Sequence, residues 1–355
     1  MFTPLRIDPA KVLGEITAFQ RKLAAGMESL RGLHEPDYAN TPREVVYRED
    51  KLTIWHFKGT GKPTSKTPLL IVYALVNTVW MTDLQADRSL VRNLLEQGED
   101  VYLIDWGYPD GADRWLTLDD YLNGYLDRCV DVVRERHSLE AINLLGICQG
   151  GAFSLCYTAM HPEKVKNLIT MVTPVDFHTP DNMLSHWVQG LDVDLFVDTL
   201  GNIPAELMNW VYLTLKPVRL NQQKYISLVD IFDNRKELEN FLRMERWIFD
   251  SPDQAGEAFR EFIKDFYQGN KLVKGTLTIG GKPVDLGMVT QPVLNIFAEQ
   301  DHLVPPDASR VLGKHVGTTD YTQLAFKGGH IGIYVSGRAQ REVPPAIHQW
   351  LRSRD

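Results

Sequence analysis

The stretch NLLGICQGGAFSL, residues 143–155, contains the clearest indication of the fold. It continues the apolar run AINLLGI (141–147), typical of a strand buried on both faces, and leads into a helical pattern. Between the two stands Gly146-Ile147-Cys148-Gln149-Gly150, a G-x-S-x-G nucleophile elbow with cysteine in place of serine. The glycines would let neighbouring backbone pass close to a strained turn. The alternative is a turn of small residues with a buried structural cysteine.

Similar apolar runs recur on both sides of this motif and predict further buried strands. They are LLIVYALV (69–76), DVYLIDWG (100–107), KVKNLITMV (164–172) and PVLNIFA (292–298). Helical patterns separate the runs, and strands that alternate with helices of this length imply βαβ crossovers. We therefore expect an α/β fold with a mainly parallel sheet of the α/β-hydrolase type.

The alternation of strands and helices stops after Pro174, and residues 176–288 intervene before it resumes. An insertion of this length is typical of a cap or lid domain rather than of a loop. We expect a core of residues 1–175 and 289–355, and a cap of residues 176–288 that also mediates dimerisation. An amphipathic helix at 11–32 begins the core, where it packs or docks a partner.

Two residues near the C-terminus fit the partners that a nucleophile needs. In a nucleophile-elbow fold the chain order is nucleophile, acid, histidine. Asp301 follows the run 292–298, and His330 follows the candidate strand DYTQLAF (320–326). Taken alone, Asp301 could be a turn residue and His330 a surface histidine. Together with Cys148 they predict a Cys-His-Asp catalytic triad.

Acyl transfer also requires donors for the oxyanion, and the sequence suggests where they lie. One is the backbone N–H of Gln149, directly after the nucleophile, and the other comes from Val76 or Asn77 in the loop after run 69–76. Asn77 is also a candidate substrate-binding residue. His302, beside Asp301, either contacts the substrate or packs in the core.

Composition narrows the class of protein. The 355 residues include 38 Lys and Arg against 46 Asp and Glu, so that 38 − 46 gives a net charge of −8, which disfavours nucleic-acid binding. Three cysteines without a C-x-x-C motif suit a reducing compartment, and the first residues lack the apolar core of a signal peptide. We expect a cytoplasmic protein. Metal-ligand spacings and nucleotide-binding motifs are lacking, so no metal or cofactor is expected.

A cysteine nucleophile is itself informative about the substrate. A thiolate that attacks an oxygen ester exchanges a stable bond for a less stable thioester. Attack on a thioester is nearly balanced, and the acyl group can then pass downhill to an alcohol. Transfer from a thioester to an oxygen ester is therefore the natural use of this elbow, provided that a cap excludes water.

With these motifs in place, the chain resembles the poly(3-hydroxyalkanoate) synthases, specifically the short catalytic subunit of the class III, two-subunit type. The matching stretches run along nearly the whole chain and include its insertion. Besides the elbow, the main ones are LLIVYALVN (69–77), RWIFDSPDQAGE (246–257), NIFAEQDHLVPP (295–306) and GGHIGIYVSG (328–337).

The resemblance implies a role for each motif residue. Cys148 would load the acyl group from a 3-hydroxyacyl-coenzyme A, His330 would act as the base, and Asp301 would orient His330 or activate the 3-hydroxyl. It further implies 3-hydroxybutyryl-coenzyme A as a substrate, a growing polyester chain as a partner, and coenzyme A as part of the substrate rather than a cofactor. A small helical second subunit, a homodimer or hetero-oligomer, and the surface of polyester granules are implied as well.

Two rival functions follow from the same residues. A thioesterase or polyester depolymerase of the same fold would use the same triad but release free acid, and the fold cannot separate these activities. A catalytically silent granule scaffold would carry a Cys148 that is unreactive toward alkylating agents.

Overall fold

A sheet of eight strands forms the centre of the molecule. The structure, a computed structural model, describes residues 40–59, 61–216, 228–232 and 234–355, together with Gly14 and Thr17. The helix predicted for 11–32 therefore lies almost wholly outside the described residues. The strands are β1 (Arg43–Glu49), β2 (Leu52–Phe57), β3 (Leu69–Val72), β4 (Asp83–Gln85), β5 (Arg88–Ser89), β6 (Val101–Asp105), β7 (Ile142–Ile147), β8 (Val165–Met171), β9 (Thr278–Ile279), β10 (Lys282–Pro283), β11 (Val293–Ala298) and β12 (Tyr321–Phe326).

Helices separate the strands along the chain. The α-helices are α1 (Leu90–Gln97), α2 (Asp127–His137), α3 (Gln149–Met160), α4 (Met183–Val188), α5 (Val193–Leu200), α6 (Ala205–Thr214), α7 (Arg235–Phe249), α8 (Gly256–Glu261), α9 (Lys271–Lys274), α10 (Pro306–Arg310), α11 (Gly332–Val335) and α12 (Gly337–Arg352). Two π-helical segments, Asp120–Leu126 and Phe262–Gln268, adjoin α2 and α8. No helix in the described part of the chain is both long and apolar enough to cross a bilayer.

The strand order of the main sheet is β1-β2-β6-β3-β7-β8-β11-β12. The six strands from β6 to β12 are parallel, whereas β1 and β2 run antiparallel at one edge. This arrangement confirms the α/β fold with a mainly parallel sheet. It also brings the carboxyl ends of β3, β7, β11 and β12 to the same edge of the sheet.

The predicted strands are present, but one of them is shorter than its apolar run. The run 69–76 forms a strand only as far as Val72, and Tyr73–Val76 continue as a buried loop. The other runs match β6, β7, β8 and β11 to within two residues at each end.

The sheet is buried on both faces, which explains the continuous apolar runs. In β3, Leu70 and Val72 pack into one cluster with α3, whereas Leu69 and Ile71 pack into another with α1 and α12. Each face is thus closed by helices, as expected for parallel strands.

Residues 176–288 lie between β8 and β11 and are mainly helical. Part of this insertion shares the core of the sheet: Phe262, Phe266, Leu272 and Val284 belong to the same buried cluster as α3. A separate small cluster around Val197 and Ile203 packs α5 against the π-helical segment Phe262–Gln268. Within the insertion, β9 and β10 form a hairpin that turns at Gly280 and Gly281. The division into a core and a dimerising cap stays a prediction.

Candidate active site

Cys148 occupies a strained turn between β7 and α3. Its φ angle is +57°, in the region that disfavours any residue with a side chain. A Cβ atom on Gly150 would lie 2.6 Å from the carbonyl oxygen of Tyr73, and one on Gly146 would lie 2.5 Å from the Cα of Gly151. The two glycines are therefore required by the close approach of neighbouring backbone, which is the geometry of a nucleophile elbow.

Asp301 and His330 meet at the carboxyl ends of β11 and β12. The Nδ1 atom of His330 lies 2.6 Å from Oδ2 of Asp301, and both side chains are almost completely buried. The other carboxylate oxygen, Oδ1, accepts hydrogen bonds from the backbone N–H groups of Leu303 at 2.9 Å and Val304 at 3.0 Å. Both carboxylate oxygens of Asp301 thus have hydrogen-bond partners within the protein.

The imidazole of His330 is held in its charged form by its two neighbours. Burial by itself lowers its pKa, but the carboxylate of Asp301, which also hydrogen-bonds to the ring, and the neighbouring side chain of Cys148 outweigh burial. The net effect raises the pKa of His330 from 6.5 to about 10. The structure therefore brings together the three residues that the sequence predicted as a triad, and it favours a positive charge beside the sulfur of Cys148.

The charge on His330 provides a pH-dependent prediction. Because its pKa is raised, the imidazolium persists through neutral pH and is lost only as pH rises through about 10. Asp301→Asn removes the carboxylate that does most to raise the pKa of His330, while burial still disfavours the charged ring. The pKa of His330 should therefore fall. We expect alkylation of Cys148 by iodoacetamide at pH 7 to slow by about tenfold or more, as expected for losing a nearby cation. Mass spectrometry would report the modification at Cys148.

A matched carboxylate variant controls for nonspecific effects. Asp307 lies six residues further along the chain in α10, is exposed, and pairs with exposed Arg310 at 2.9 Å. Asp307→Asn should alkylate as fast as the parent protein. An Asp301→Asn variant that kept the parental rate and pH profile would contradict the assigned electrostatics.

The candidate oxyanion donors lie on two adjacent segments. The N–H of Gln149 is at the first residue of α3, where helix geometry leaves it without an intrahelical acceptor. Val76 and Asn77 lie in the loop after β3, and the side-chain amide of Asn77 donates to Oγ of Ser251 at 2.7 Å. The side-chain Oε1 of Gln149 accepts from the backbone N–H of Leu75 at 3.0 Å, which joins the two segments. This side-chain contact was not predicted, because the motif assigns Gln149 only a backbone role.

A cavity of about 940 Å³ adjoins Cys148 and His330. Cys148, His330 and His302 line it, together with Val76 and Asn77. The opposite wall comes from the insertion and is mostly apolar, with contributions from Trp187, Phe196, Met208, Phe241, Met244 and Phe259. The cavity is large and apolar enough for an acyl chain beside the sulfur. Within the described residues, no group of three His, Cys, Asp or Glu side chains could hold a metal ion.

Comparison with family models places the chain in two overlapping groups. Residues 67–336 match the alpha/beta hydrolase fold, and residues 35–94 match the N-terminus of poly-beta-hydroxybutyrate polymerase (PhaC). Solved structures agree on the fold alone: a Paleococcus ferrophilus monoacylglycerol lipase is 18% identical with a TM-score of 0.52, covering 86% of this chain and 100% of its own. Mouse alpha/beta hydrolase domain-containing protein 10 is 16% identical with a TM-score of 0.51, with coverages of 88% and 100%.

Curated relatives are far more similar. The poly(3-hydroxyalkanoate) polymerase subunit PhaC of Allochromatium vinosum is 61% identical, with 99% of each chain covered. The protein of the same name from Thiocystis violacea is 59% identical, again over 99% of each chain. Matches of this length and identity confirm the resemblance derived from the motifs, including the two-subunit type. The chain therefore belongs to the poly(3-hydroxyalkanoate) polymerase family.

Proposed function

We propose that this chain polymerises 3-hydroxyacyl groups, taken from their coenzyme A thioesters, into a polyester. The observation that carries the proposal is the position of Cys148: it stands on a strained elbow beside the His330–Asp301 pair and lines a large apolar cavity. Family membership supports the same activity, since the similar relatives are named as poly(3-hydroxyalkanoate) polymerases.

Loading of the acyl group follows from this geometry. The sulfur of Cys148 attacks the thioester carbonyl, and the developing oxyanion is stabilised by the N–H groups of Gln149 and Val76. The bond between the carbonyl carbon and the coenzyme A sulfur breaks, and His330 gives its proton to the departing thiolate. The product is an acyl thioester on Cys148, with free coenzyme A released.

Chain extension uses the same groups with His330 now neutral. The imidazole takes the proton from the 3-hydroxyl of a second hydroxyacyl group as that oxygen attacks the acyl thioester. An ester bond forms, the bond to the Cys148 sulfur breaks, and the sulfur recovers its thiolate form beside the imidazolium. A thioester is consumed and an oxygen ester formed, so the step is downhill.

In this scheme Asp301 acts through His330 rather than on the hydroxyl. Its carboxylate is fully enclosed, with one oxygen on His330 Nδ1 and the other on the N–H groups of Leu303 and Val304. A hydroxyl group could reach the carboxylate only by displacing one of these partners. Asp301 therefore orients the imidazole and stabilises its charge.

The cavity suits a short acyl chain such as 3-hydroxybutyryl, together with the end of the growing polymer. Its apolar wall disfavours water, which protects the acyl thioester from hydrolysis. His302 and Asn77 line the same cavity and are proposed as contacts for the polar parts of the substrate.

We further propose that the insertion faces polyester or a partner subunit. Several large apolar side chains are exposed on helices α4 to α6, including Trp187 at 43%, Leu195 at 65% and Trp210 at 66% exposure. Exposed apolar surface of this kind is typical of contact with another molecule. A polyester granule in the cytoplasm, a second copy of the chain and the small second subunit are the partners that the family suggests.

The test is an assay of the purified chain with 3-hydroxybutyryl-coenzyme A. Thiol titration follows the release of coenzyme A, and the acyl product is separated into soluble acid and insoluble polyester. Release of coenzyme A with formation of polymer is expected, either for the chain alone or after addition of a second subunit. Release with only free acid would identify a thioesterase, and absence of release under both conditions would favour a scaffold.

A further inference from the structure

The loop that carries the second oxyanion donor is held by side chains rather than by the sheet. After β3 ends at Val72, both backbone groups of Leu75 are bound by glutamine amides. The N–H donates to Oε1 of Gln149 at 3.0 Å, and the carbonyl accepts from Nε2 of Gln254 at 2.8 Å. Both glutamines are more than nine-tenths buried, so water cannot easily replace these bonds.

The stretch of the insertion that contains Gln254 also binds the rest of the loop. The indole N–H of Trp247 donates to the carbonyl oxygen of Thr78 at 2.8 Å, and Ser251 accepts from the amide of Asn77 at 2.7 Å. Three residues between positions 247 and 254 thus contact the loop from Leu75 to Thr78.

Gln254 is itself fixed in place by backbone pairing. It forms an antiparallel bridge with Ile203, in which each residue donates its N–H to the other's carbonyl at 2.9 Å. The neighbouring carboxylate of Asp253 accepts from the N–H of Ala205 at 2.9 Å. The side chain of Gln254 therefore projects from a rigid part of the insertion, and the position of Leu75 follows from it.

We propose that Gln254 is a positioning residue for acyl transfer: by holding the carbonyl of Leu75, it aims the N–H of Val76 at the oxyanion. The peptide that contains this N–H also contains the carbonyl of Leu75, and a peptide unit is planar. Fixing the carbonyl oxygen therefore fixes the direction of the N–H on the opposite side of the same plane. This inference rests on the proposed function, because it requires an oxyanion beside Cys148.

The arrangement also couples the insertion to catalysis. A displacement of residues 247–254 would pull on the carbonyls of Leu75 and Thr78 and turn the Val76 donor away. The complete oxyanion site then exists only while this part of the insertion stays in place.

The test replaces Gln254 by methionine, which keeps the shape of the side chain and removes its amide donor. We expect kcat for the first release of coenzyme A from 3-hydroxybutyryl-coenzyme A to fall by about tenfold to a hundredfold, less than the loss of a whole oxyanion donor. KM should change by less than about threefold, because binding does not depend on the oxyanion. Alkylation of Cys148 should keep its parental rate, since the elbow and His330 are untouched.

A second glutamine provides a matched control. Gln268 also donates from its amide to backbone carbonyls of the insertion, those of Val188 at 2.7 Å and Leu191 at 2.9 Å, and does not line the cavity. Gln268→Met should keep the parental kcat. If Gln254 only stabilised the fold, Gln254→Met would lower the melting temperature, as Gln268→Met is expected to do. Its kcat would then show no selective loss.

The outcomes separate the inference from the proposed function. If the parent protein releases no coenzyme A with or without a second subunit, the proposed function fails and this inference fails with it. If the parent is active and Gln254→Met retains its kcat, the inference alone is wrong. Should Gln254→Met be too unstable to purify, Gln254→Asn shortens the side chain by one methylene and withdraws its amide from the carbonyl of Leu75. A parental kcat in that variant would equally overturn the positioning role.

Discussion

Replacement of Cys148 by alanine is expected to stop the release of coenzyme A while the fold persists. The variant loses the sulfur that we propose forms the acyl thioester. Alanine has no nucleophilic atom that could replace it on the elbow. Loss of a nucleophile in a triad lowers kcat by about 10⁴-fold or more. Alanine meets the same backbone strain as cysteine at a φ of +57°, so the melting temperature should stay close to that of the parent. Thiol titration and circular dichroism would measure both effects.

Replacement by serine distinguishes thiolate chemistry from simple placement of a nucleophile. A serine hydroxyl at this position would be a much weaker nucleophile than the sulfur that stands beside the charged His330. We therefore expect Cys148→Ser to be far less active than the parent. Polymer formation by the alanine variant would refute the assignment of the nucleophile, and a fully active serine variant would refute the argument from thioester exchange.

The sequence predicted the strands well because buried parallel strands are apolar on both faces. It could not predict where β3 ends, since Tyr73, Ala74 and Leu75 are as apolar and as buried as the strand itself. The strand stops at Val72 because side chains distant in sequence form hydrogen bonds with the backbone groups that follow it. Trp106 donates to the carbonyl of Tyr73 at 3.0 Å, and Gln254 donates to that of Leu75.

The neighbouring positions of Cys148, Asp301 and His330 could be predicted because each residue belongs to a motif with a fixed order along the chain. The elbow also demands glycines, which makes it recognisable without a structure. The roles of Gln149 and Gln254 in holding the loop could not be predicted, because a glutamine that binds a backbone carbonyl leaves no pattern of spacing. The only indication was that Gln254 lies in the stretch RWIFDSPDQAGE, which matches the family without an assigned chemistry.

Gly150→Ala is expected to lower activity by about a hundredfold, although Cys148 remains. The new Cβ would overlap the carbonyl oxygen of Val72 and lie 2.6 Å from that of Tyr73, and these atoms are backbone that cannot rotate away. The elbow must therefore move relative to β3, which separates Cys148 and the Gln149 N–H from the Val76 donor. A misplacement of about 1 Å in an active site costs about a hundredfold in kcat. Overpacking of this kind also destabilises a fold by about 1–3 kcal/mol.

A control variant and measurements of folding distinguish displacement of the elbow from unfolding of the protein. Gly124→Ala is the matched control, because a Cβ at that position contacts nothing within 4 Å, and alanine favours helix over glycine. It should retain the parental activity and melting temperature. Gly150→Ala should keep its circular dichroism spectrum at 25 °C and its reactive thiol, and lose only the turnover of 3-hydroxybutyryl-coenzyme A. A folded Gly150→Ala variant with parental turnover would show that close contact between the elbow and β3 is not required for acyl transfer.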